Sequence, residues 1–116
     1  MTNTQSPLDK QSLSWATPLI EALARGETVQ TRPNGKSMDP VIPPKSLVTI
    51  VPASPATLST KDVVLVTCKD NVYLHRIGAI VGFEYVVWFR IENASGRGNG
   101  WVTGDKIHGV VTRVEP

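Results

Sequence analysis

Few residues in this chain of 116 combine a reactive type with a suggestive setting. Ser37 stands in Gly35-Lys36-Ser37-Met38-Asp39-Pro40, a serine on a turn that a glycine opens and a proline closes. A serine hydroxyl is a weak nucleophile at neutral pH and attacks a carbonyl only when a neighbour accepts its proton. The two histidines, His75 and His108, have that capacity, because the ordinary imidazole pKa of about 6.5 lies near the working range. A lysine would first have to be driven down from about 10.4 by burial. Each residue also has a plain structural reading. Ser37 suits a turn, Met38 a core or pocket wall, His75 a half-buried strand and His108 a surface strand position.

Other chemistries find less support. Cys68 is the single cysteine and ends the apolar run Val63-Val64-Leu65-Val66, where a small buried thiol is expected, and no internal disulfide can form. Cys68, His75 and His108 lack the paired spacing of a zinc site, so neither a metal nor another cofactor is expected. The glycines of Asn93 to Gly100 do not follow a strand and open a helix, which argues against phosphate binding. Twelve basic residues against ten acidic ones leave a net charge of +2, and the basic residues are scattered rather than striped. Nucleic acid is therefore not an expected partner. The stretch before residue 27 is too short for a helix-turn-helix domain and linker. No run of about 18 apolar residues occurs, nor an apolar secretory stretch at the start, so we expect a soluble, cytoplasmic protein that does not bind membranes.

The elements that must hold these residues read as mainly β. Nine prolines and nine glycines punctuate valine-rich segments at short intervals, and the length fits one domain. Residues 1–11 form a flexible polar tail in this reading, and 12–116 the single domain. Leu13, Trp15, Ala16, Leu19, Ile20 and Leu23 recur at helical intervals, predicting one N-terminal helix over about 13–25. Ser14 or Thr17 would cap it, Pro18 would sit in its first turn, and Gly26 would end it. Strands are expected at 27–32 and 47–51. A hairpin is expected from 62–68 and 72–80, with Gly82 turning the chain into 83–91. Asn93 to Gly100 reads as a surface loop, followed by a last strand from about Lys106 to Val114.

Four segments in this order resemble the LexA and type I signal peptidase superfamily. The Gly35 to Pro40 stretch is similar to its Gly-x-Ser-Met box, and Lys61-Asp62-Val63-Val64-Leu65-Val66 to its Gly-Asp-hydrophobic strand. Tyr73-Leu74-His75-Arg76-Ile77 resembles the strand that bears the base, and Gly104 to Val111 the closing strand. The resemblance spans about residues 28–114. It implies a LexA-like or signal peptidase-like β fold, Ser37 as nucleophile and His75 as general base. The histidine matches the Ser-His branch of signal peptidases, where LexA proteins and bacterial signal peptidases use lysine. Gly35, Ser37 and Met38 would then supply the oxyanion site and pocket wall. That branch has an acid after the base strand, for which Glu92 is the nearest match and Asp105 the competitor.

Two functions fit this pattern. One is a soluble serine peptidase acting on an extended polypeptide segment. The other is a catalytically inactive module on the same fold that binds a peptide or protein partner in a regulatory role. The small format resembles stand-alone bacterial and phage members, and a homo-oligomer stays open. No Ala-Gly or Cys-Gly pair precedes Ser37, so LexA-type self-cleavage is not expected.

Overall fold

A computed structural model gives the architecture; it describes residues 7–116, with side chains from residue 15 onward. The chain is mainly β with a single N-terminal helix: α1 (Pro7–Ala24), then β1 (Val29–Thr31), β2 (Leu47–Pro52), β3 (Val63–Cys68), β4 (Asn71–Phe83), β5 (Val86–Glu92), β6 (Gly98–Thr103) and β7 (Ile107–Glu115). The strands form one curled antiparallel sheet in the order β1-β2-β7-β3-β4-β5-β6.

The helix starts at Pro7, well before the expected Leu13, so residues 7–11 are helical rather than part of a tail, and the remainder of the expected tail, residues 1–6, lies outside the described residues. Pro18 is consequently internal to the helix rather than in its first turn, and neither Ser14 nor Thr17 is its cap. In sequence, residues 7–11 (Pro-Leu-Asp-Lys-Gln) hold a single aliphatic residue, Leu8, too little to show a helical period. The end is as read. Gly26 adopts φ +87°, and the amides of Gly26 and Glu27 return to the carbonyls of Leu23 and Ala22, the paired bonds of a Schellman cap.

Turn chemistry sets the strand pairing. Lys69 and Asp70 both have positive φ between Cys68 and Asn71, which face each other, giving a two-residue hairpin from β3 to β4. Glu84 and Tyr85 repeat the device between Phe83 and Val86. The turn therefore falls two residues after Gly82, which is paired with Val87 inside β4. The expected loop at 93–100 is also shorter, since Gly98, Asn99 and Gly100 belong to β6.

Two apolar clusters flank the sheet. Ala16 and Leu23 of the helix pack with Met38, Ile42, Val48, Ile50, Val63, Leu65, Val72 and Leu74. Val64, Val66 and Cys68 of β3 pack with Ile77, Phe89, Ile91, Val102 and Ile107. The alternation along β3 places Val63 and Leu65 in one cluster and Val64 and Val66 in the other, as a strand covered on both faces requires.

Candidate active site

The segment after β1 carries Ser37 on a tight turn. The Asp39 amide bonds to the Lys36 carbonyl at 3.1 Å, which makes Ser37 and Met38 the central residues, and the Ile42 amide closes the next turn onto the Met38 carbonyl at 2.6 Å. Met38 and Ile42 are buried in the first cluster and anchor the turn, leaving Ser37 exposed. A further tie comes from the Ala94 amide to the Ser37 carbonyl at 2.9 Å, which fixes the turn against the β5–β6 connection. Among the described residues the amides of Ser37 and Met38 donate to no backbone carbonyl, so they are available to a negatively charged oxygen.

His75 lies on β4 opposite Val64 and is 6% exposed. Its Nε2 is 2.9 Å from Ser37 Oγ, and its Nδ1 is 2.6 Å from Asn99 Oδ1. Tyr73, two residues earlier on the same strand face, stacks on the imidazole with ring centroids 4.8 Å apart at 25°. Burial holds the His75 pKa below the ordinary imidazole value, and the Asn99 hydrogen bond opposes that shift. The ring is therefore neutral at neutral pH, the state in which it can accept a proton.

Neither expected acid reaches this histidine. Glu92, 9% exposed, bonds through Oε2 to Arg76 Nε at 2.7 Å and through Oε1 to Arg90 Nη1 at 2.6 Å. Gly78 lies against that carboxylate, so closely that a Cβ there would overlap it. Asp105 is exposed in a short 3-10 turn and accepts a hydrogen bond from Thr103. Asn99 stands beside His75 where an acid was expected.

The placement of Asn99 has a backbone cause. Ile91 pairs with Gly100 and Glu92 with Gly98, leaving Asn99 as the extra residue of a β-bulge. A bulge turns one side chain out of the regular alternation, and here that side chain meets His75. The flanking glycines fit this arrangement: Gly100 has φ +147°, and a Cβ at Gly98 would come within 2.5 Å of the Arg90 guanidinium. The Gly-Asn-Gly sequence was the available signal, since glycine inside a strand marks bulges, but its composition read as a loop.

His108, expected at the surface, is half-buried, and its Nε2 is 2.7 Å from Thr67 Oγ1. It too is a bulged residue, since Val66 pairs with Ile107 and Leu65 with Gly109. Cys68 is buried, and burial pushes its thiol pKa up.

Ser37 and His75 open onto a groove of about 560 Å³. Its apolar wall includes Trp15 of the helix, Met38, Ile42, Val72 and Leu74, while residues 31–35 run along it with Arg32 as the charged member. Gly35 lines the groove, and a Cβ there would meet no protein atom. Among the described residues no cluster of His, Cys, Asp and Glu is arranged to hold a metal ion, and no helix is long and apolar enough to cross a membrane. Compared with family models, curated proteins and solved structures, the chain matches none.

Proposed function

We propose that this protein is a serine peptidase with a LexA-like or signal peptidase-like fold, hydrolysing a peptide bond in an extended segment laid along the groove. The observation that carries the reading is the 2.9 Å contact between Ser37 Oγ and a buried, neutral His75 Nε2 at an open groove. Ser37 Oγ attacks the carbonyl carbon and its proton passes to His75 Nε2. The amides of Ser37 and Met38 face the resulting oxyanion. Collapse breaks the C–N bond, and His75 returns its proton to the leaving amine. A water then attacks the Ser37 ester, gives a proton to His75 and releases the acid, restoring the serine. The open space over Gly35 leaves room for substrate backbone.

Incubation with an activated peptide ester, quenched in acid and mapped by mass spectrometry, tests the nucleophile. An acyl group on Ser37 that is missing in His75→Ala is expected. A wild-type Ser37 that stays unacylated would refute the reading. One observation favours the second function, a binding module without turnover: the neutral Asn99 stands where the Ser-His branch carries an acid. Tight peptide binding in the groove without acylation would select it.

A further inference from the structure

We propose that Asn99 is the positioning residue of the site, its amide oxygen holding His75 as the Nδ1–H tautomer so that Nε2 stays bare toward Ser37. The inference deepens the peptidase reading and rests on it for its catalytic consequence.

The two ring nitrogens of a neutral histidine have opposite roles, and the partner of one decides the role of the other. Asn99 offers Oδ1 to Nδ1 at 2.6 Å, and a carbonyl oxygen can only accept, so the proton belongs on Nδ1. Nε2 then carries a lone pair 2.9 Å from the Ser37 hydroxyl, the arrangement a general base needs. An amide presenting its NH2 group instead would place the proton on Nε2, and His75 would donate to Ser37 rather than accept from it. The choice between an active and an inactive base thus comes down to one amide on one bulged residue.

An amide orients the ring as a carboxylate would but adds no negative charge. The charged residues on the surrounding elements do not replace it. Glu92 on β5 is taken up by Arg76 on β4 and by Arg90, Asp39 is exposed on the serine turn with Lys36, and Arg97 is exposed in the connection before β6. His75 is therefore a base whose pKa burial holds below the ordinary imidazole value with no nearby negative charge to raise it, and the imidazolium formed during attack has weaker support.

The test is nitrogen-15 NMR of the two histidines across a pH titration of the full chain, with His108→Gln used for assignment. In the wild type at high pH, His75 should show a protonated Nδ1 and a bare Nε2. Asn99→Ala should lose this preference and lower any peptidase rate about 10²-fold, the scale of a misdirected general base. Asn99→Asp should keep the Nδ1–H tautomer and move the His75 midpoint upward, carrying the acid limb of the rate profile with it. A wild-type Nε2–H tautomer, or Asn99→Ala with tautomer and midpoint unchanged and its fold intact by circular dichroism, would overturn the proposal. The tautomer needs no substrate to be read. A protein with the expected tautomer and no turnover would thus sink the peptidase reading alone.

Discussion

Replacing Glu92 by Gln separates structural from catalytic carboxylates at this site. Glu92 is buried at 9% exposure and holds Arg76 at 2.7 Å and Arg90 at 2.6 Å. The amide keeps the shape but removes the charge and turns one end from acceptor to donor, against two cations. Breaking a fully buried pair costs about 3–5 kcal/mol. The two arginine side chains are 26% and 34% exposed, so water recovers part of the loss. A cost of about 2 kcal/mol is expected, which for a domain of this size lowers the Tm by roughly 8 °C. Thermal unfolding followed by circular dichroism measures it, and the His75 titration midpoint should not move, because Asn99 rather than Glu92 meets Nδ1. A variant with unchanged Tm but abolished turnover would place Glu92 in the catalytic machinery and refute this account of the network.

Burial holds both His75 and His108 below the ordinary imidazole value, so the unfolded chain binds protons first as pH falls. Stability should be level from about pH 6.5 to about pH 8 and decline below that window, and urea midpoints at pH 8 and pH 5 check the sign. Asp70→Gly should stabilise the β3–β4 hairpin by about 0.5–1 kcal/mol in urea denaturation, because Asp70 has φ +68° and glycine removes the left-handed strain. Met38→Ala should cost about 2–4 kcal/mol in the same assay, since Met38 is 5% exposed in the core cluster beneath the serine turn.

Much of this architecture was legible in the chain. The valine-rich runs on either side of Lys69-Asp70-Asn71 marked the β3–β4 hairpin, helical spacing and Gly26 marked the end of α1, and Ser37 and His75 are brought into hydrogen-bond contact. Three features were not legible, each for a physical reason. The first turn of α1, Pro-Leu-Asp-Lys-Gln, holds one aliphatic residue, too few to show a helical period. The turn after β4 uses Glu84 and Tyr85 at positive φ, where side-chain statistics favour glycine, so Gly82 drew the expectation instead. Asn99 was hidden because a bulge depends on the register of two strands, while Gly98-Asn99-Gly100 by itself has the composition of a loop. The resemblance implies Glu92 as the acid after the base strand, yet Arg76 opposite it and Arg90 beside it claim its charge.

The most direct test of the central claim is a peptide-library digestion read by mass spectrometry, comparing wild type, Ser37→Ala and His75→Ala at neutral pH. The account predicts cleavage by the wild type at a defined set of bonds, and none by either variant, with both variants folded by circular dichroism. Cleavage that persists in Ser37→Ala, or a wild type that leaves the whole library intact, would contradict it.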